Sequence, residues 1–132
     1  MRMIRRKTKG FQRDSSLTPD EIDSIDEINV LKGIAKDNSD YRIRLKAVER
    51  IFDDDFLSDV AFDDSNRKVM TAAVGNIKDQ SRLKNISANH SDCRIRIEAI
   101  QKIKDKAFLT GISQSESNRN VKKAILDRIS EI

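Results

Sequence analysis

At 132 residues the chain is about the length of one domain, and its 37% hydrophobic and 36% charged residues supply a core, but a thin one. One Pro, four Gly and no Trp favour helices over sheets, and no apolar run approaches the roughly 20 residues of a membrane span. The net charge of +4 is uneven: Arg2, Arg5, Arg6, Lys7, Lys9 and Arg13 give residues 1–13 a charge of +6, and the remainder carries −2.

Residues 1–16 show no apolar periodicity and are expected to form a flexible basic arm. No apolar stretch follows its cations, so it does not read as a secretory signal. The first helical signal is Thr18-Pro19-Asp20-Glu21, a capping box with Pro at the first helical position. It opens a half unit over 17–26, in which Leu17, Ile22 and Ile25 stand 26 residues before Ile43, Val48 and Ile51.

From there the chain repeats itself every 26 residues. Leu31, Leu57, Leu83 and Leu109 share one register, and Ile34, Val60, Ile86 and Ile112 a second. Ile43, Val69, Ile95 and Val121 share a third, Val48, Val74, Ile100 and Leu126 a fourth, and Ile51, Ile77, Ile103 and Ile129 a fifth. Ala47, Ala73 and Ala99 repeat with Ile125 as the odd member. The polar positions follow: Ser39, Ser65, Ser91 and Ser117, each before Asp or Asn, and Glu27, Asp53, Asp79, Asp105 and Glu131. So many registers agreeing over four gapless copies mark a repeat architecture.

Each unit predicts two helices. The first starts near the register acid, which suits the positive end of a helix dipole. Phe56, Leu57, Val60 and Ala61 lie on one helical face. The Ser-Asp/Asn pair then ends that helix and caps a second, whose apolar face holds Ile43, Ala47, Val48 and Ile51. The expected fold is all-α: a right-handed α-solenoid of four 26-residue helix pairs (27–52, 53–78, 79–104 and 105–132) plus the opening helix, nine helices in all.

The segments LKGIAKD…IRLKAVERI and LKNISAN…IRIEAIQKI resemble HEAT-like repeats of the phycobilisome-lyase type. Their motif runs roughly Leu-x-x-Ile-Ala-x-Asp and then Val-Arg-x-x-Ala-Val-x-x-Ile. The resemblance spans residues 17–132, which is 116 of 132. A unit shorter than most HEAT repeats implies tight helices and loops. The resemblance also implies that the second helices line a concave side. It further implies that Arg44, Arg96 and Lys122, at the Val-Arg position, pair with the preceding Asp. Such repeats serve scaffolds, adaptors, lyases and some nucleic-acid enzymes.

Catalysis finds little support in the residues. His90, the only histidine, reads as a solvated turn residue rather than a general base. Cys93 reads as a small packing residue in the first turn of a second helix; alone it closes no internal disulfide, which suits a reducing cytoplasm. Asp53, Asp54, Asp55, Asp59, Asp63 and Asp64 lack the spacing, central Gly and closing Glu of a calcium loop. No phosphate loop or nucleophile motif occurs. No catalytic residue, metal or cofactor is expected.

Charge by helix is more informative. The second halves of the units carry +10 and the first halves −6. Stacked units would align Arg42, Lys68 and Arg94, and Arg50, Lys102 and Arg128, into two basic ladders with rungs about 8–10 Å apart. Helix-dipole preferences account for part of this asymmetry. Aromatics interleave poorly with the ladders, Tyr41 and Phe52 excepted, so base stacking has little to work with. The expected function is a non-catalytic, cytoplasmic binding or scaffold protein that recognises another protein through its repeat surface. The alternative is binding of nucleic acid or another polyanion through the groove and the arm. No membrane partner is expected. The apolar residues of the last unit have no follower, which suggests weak self-association.

Overall fold

Short polar side chains set nearly every helix start in the computed structural model, which describes residues 17–132. Thr18 and Glu21 form the reciprocal capping box that opens α1 (Pro19–Asp23). The first helix of each unit then follows the register acid: α2 (Ile28–Asp37), α4 (Asp54–Asp63), α6 (Gln80–Asn89) and α8 (Lys106–Ser115). The carboxylates of Asp53, Asp79 and Asp105 accept backbone N–H groups in the first turn, whereas Glu27 makes no such bond. The second helices are α3 (Tyr41–Val48), α5 (Arg67–Asn76), α7 (Cys93–Ile100) and α9 (Arg119–Glu131). Their N-caps, Asp40, Asn66, Asp92 and Asn118, all bond the first free N–H groups. Among the described residues there are nine helices and no strand, and no helix is long and apolar enough to cross a membrane.

The turn inside each unit is closed by a residue that the repeat pattern does not single out. Each first helix stops at Asn38, Asp64, His90 or Glu116. Each of these side chains folds back to accept the backbone N–H two residues on, at 2.9 Å in all four cases. The chemistry shared by these four residue types is an acceptor at the end of a short side chain. That bond holds the chain in a tight bend and delivers the next N-cap to its place.

The paired helices pack as α2 on α3, α4 on α5, α6 on α7 and α8 on α9. The second helices also form a continuous row, α1 against α3, then α5, α7 and α9. Along that row Ala47, Ala73 and Ala99 are fully buried, as are Val48, Val74 and Ile100. Leu31, Leu57, Leu83 and Leu109 fill the space beneath them. Each such Leu contributes about 1.5–3 kcal/mol by leaving water. Among the described residues no helix exceeds 13 residues, and helices shorter than about 12–15 residues are marginal alone. The stack, not intrinsic propensity, therefore holds them.

Candidate interaction surface

The six ladder cations divide into two sets with different duties. Arg50, Lys102 and Arg128 point back along the row onto the preceding second helix. Arg50 donates to the Ile22 carbonyl at 2.6 Å, and Lys102 to the carbonyls of Val74 and Gly75 at 3.1 and 2.6 Å. Arg128 donates to the Ile103 carbonyl at 2.9 Å. The remaining member of this register is Asn76, whose amide donates to the carbonyls of Val48, Glu49 and Ile51. The last carbonyls of a helix have no partner inside it. Here the next unit supplies the donor, and a cation also suits the negative end of the dipole. Burial, followed by repulsion from Lys78, lowers the Lys102 pKa. These three groups are engaged in joining units, which corrects their assignment to an open groove.

Arg42, Lys68 and Arg94 remain on the surface. Arg42 is held by its own N-cap, with Nε and Nη2 each 3.1 Å from an Asp40 oxygen. That hydrogen bond lowers the Asp40 pKa and raises that of Arg42. Lys68 and Arg94 have no side-chain partner among the described residues. With Leu45, Asn66, Arg67 and Thr71 they line a shallow depression of about 570 Å³ that spans α3, α5 and α7. Arg67 closes one edge by donating to Asp92 at 2.8 Å. Burial pushes the Asp92 carboxyl up, but the bonds from Arg67 and the Arg94 N–H outweigh it, so its pKa falls. Leu45, Thr71 and Arg67 were not legible as site residues, because their registers vary from unit to unit. The arm cations Arg2, Arg5, Arg6, Lys7, Lys9 and Arg13 lie outside the described residues.

A second register ties neighbouring units through buried charge. Arg44 donates two bonds to Asp64 of the next unit, at 3.0 and 3.1 Å, and a third to its own turn at Asn38 O. Arg96 repeats this one double unit later, with Glu116 at 3.3 Å and His90 O at 2.8 Å. The cation thus pairs with the following unit's turn acid. Asp37, Asp63 and Asn89 stand at the preceding position that the repeat resemblance implied, so that implication is corrected.

At the junction between these two, Met70 replaces the Arg and His90 replaces the acid. His90 is buried and not solvated, contrary to its expected place in an open turn. Its Nε2 lies 2.7 Å from the Ala61 carbonyl, and its Nδ1 accepts the Asp92 N–H. Phe62 stacks on the ring, with centroids 5.2 Å apart. With Nδ1 accepting, Nε2 carries the proton and donates, so neither nitrogen is left for acid–base work. Cys93 is half-buried against the core. Among the described residues no three His, Cys, Asp or Glu side chains converge on one point. In the acidic run, Asp53 takes Lys32, Asp54 accepts the Lys78 and Asp79 N–H groups, and Asp55 pairs with Arg82.

Exposed Phe52 carries Lys78 over its ring, 5.8 Å from the centroid. Lys32 and Lys84 cover Phe56 and Phe108 in the same way. Compared with known proteins, the chain matches no family model, no curated protein and no solved structure.

Proposed function

We propose that this chain is a HEAT-like binding module: a right-handed α-solenoid of four helix pairs that catalyses nothing and recognises another protein. Its partner would dock over the depression across α3, α5 and α7, presenting acidic side chains around an apolar one. The observation that carries this proposal is the split in the ladders. Three of the six cations are tied to backbone carbonyls, and Lys68 and Arg94, which have no side-chain partner among the described residues, rim a floor made by Leu45 and Thr71. A polyanion track needs many free cations at a regular spacing, and for single strands aromatics on which bases stack. A small patch of mixed charge and carbon suits a protein segment better. The 26-residue recurrence of helix starts and the continuous row of second helices support the solenoid.

The test is capture from the source cell with immobilised full-length protein, with and without nuclease treatment. A variant carrying Lys68→Glu and Arg94→Glu, both exposed, runs beside it. Protein partners should survive nuclease and be lost with the variant, whose melting temperature stays within a degree or two of wild type. Capture that disappears on nuclease treatment would reject protein recognition. So would tight binding of duplex DNA or RNA at about 0.15 M salt, where the Debye length is only about 8 Å; the arm and groove would then be read as a polyanion site.

A further inference from the structure

The first and last helices of the described row, α1 and α9, differ in charge and in burial. In each internal second helix, the face turned to the following unit is covered. Val48, Val74 and Ile100 are 0% exposed, whereas Leu126, at the same register in α9, is 51% exposed. Ile129 is only partly buried where Ile51, Ile77 and Ile103 are fully buried. Lys122 stands at the register of Arg44 and Arg96, the cations that reach forward to a turn acid, yet its side chain is exposed and has no partner among the described residues. Arg119, Lys122, Lys123, Leu126 and Asp127 line a shallow depression of about 350 Å³ on this face. Lys123 is held by Asp127 at 2.8 Å. The surface is built like a unit junction, with an apolar centre and forward-reaching cations.

The other end is its opposite in charge. Between residues 17 and 31 there are five acids (Asp20, Glu21, Asp23, Asp26 and Glu27) and no cation. All five are exposed. Lys46 and Arg50 reach back from α3 to Asp23 and to Ile22 O, so registers 46 and 50 face the preceding helix. In α1 those registers are Asp20 and Ser24, and the buried Ala47 register becomes Glu21. The outward side of α1 is therefore acidic where internal helices are apolar. Exposed Pro19 adds carbon in its first turn.

We infer that the α9 face is a docking surface for the α1 end of a second copy of this chain, joined head to tail. The cations Arg119, Lys122 and Lys123 would meet Asp20 and Glu21, with Leu126 covered between them. A two-fold contact between α9 faces would set like charges opposite each other, which is destabilising, and a two-fold contact between α1 ends would do the same. A head-to-tail contact does not close on two copies, so it gives a concentration-dependent series of oligomers.

Sedimentation velocity of the full chain at low salt, from micromolar to millimolar, tests this inference. Wild type should form a growing series that collapses to monomer as salt is raised. Lys122→Glu with Lys123→Glu makes the α9 face acidic, and Asp20→Lys with Glu21→Lys reverses the two acids that the contact uses while Asp23, Asp26 and Glu27 stay in place. Each double variant alone should associate about tenfold or more weakly than wild type, because like charges then meet at the contact. An equimolar mixture should recover the oligomers, since opposite ends are again available. All four positions are exposed, and because Glu21 also closes the α1 capping box, Asp20→Lys alone serves as the variant that leaves that cap intact. A wild type that stays monomeric at millimolar concentration would overturn the inference. So would a Lys122→Glu, Lys123→Glu variant that associates as well as wild type, or a mixture that recovers nothing.

Discussion

Arg44 and Asp64 show how one residue pair fixes a junction. Both side chains are nearly buried, at 11 and 7% exposed, and two parallel hydrogen bonds join them. Removing one member strands the other charge away from water. Arg44→Met should therefore cost about 3 kcal/mol. The chain itself contains the remedy, because the next junction works with Met70 and His90. Adding Asp64→His to Arg44→Met should restore most of the loss. The imidazole would accept the Asn66 N–H as Asp64 now does, and its second nitrogen would donate to Ala35 O, 26 residues before Ala61 O. Denaturant unfolding of the two single variants and the double variant measures this coupling. Strictly additive losses would mean that the two junction types are not interchangeable.

At the scale of the element, each second helix depends on its successor for its C-terminal carbonyls. Lys102→Ala removes the donor from Val74 O and Gly75 O and should destabilise by about 1–2 kcal/mol. Lys102→Arg should recover most of that, since Arg50 and Arg128 perform the same task. Lys68→Ala, on the open surface, should change stability by less than about 0.5 kcal/mol. Urea midpoints for the three variants decide the matter. Equal losses for Lys68 and Lys102 would erase the distinction between binding and joining cations.

Over the whole molecule, surface ion pairs at several junctions set the response to acid. The Asp53 and Asp105 pKa values are lowered by hydrogen bonds from Lys32 and Lys84, and Asp40 by Arg42. Asp92 is lowered too, despite its burial. A carboxylate whose pKa is lower in the folded chain binds fewer protons there than in the unfolded chain. Its contribution is present above the ordinary carboxylate value of about 3.9 and is lost as pH falls through the depressed values. The contribution of these four carboxylates should thus be nearly constant from about pH 7 to 5 and fall below about 4. Replacing Lys32 and Lys84 by Met should make that fall shallower, which melts at a series of pH values would read out. An unchanged slope would assign the acid response to other groups.

Helix starts and core positions were legible because they depend on short-range rules. A capping side chain acts on N–H groups two or three residues away, as Asn66 does on Lys68 and Val69. The buried face follows from spacing alone, which is why Leu57, Ala73 and Ile95 fell where the register put them. The nine helices follow from those two signals. The fate of each cation was not legible, because it depends on groups 20–29 residues away that only the stack brings close. Lys102 and Arg94 are both cations on one second helix and its end, yet one meets the carbonyls of Val74 and Gly75 and the other meets solvent. His90 looked like a solvated turn residue for the same reason: the Ala61 carbonyl that holds it belongs to the preceding unit. Periodicity records which face a residue is on. Whether its polar atoms are spent or free is decided by what the neighbouring unit places opposite them, and that is a property of the packed chain.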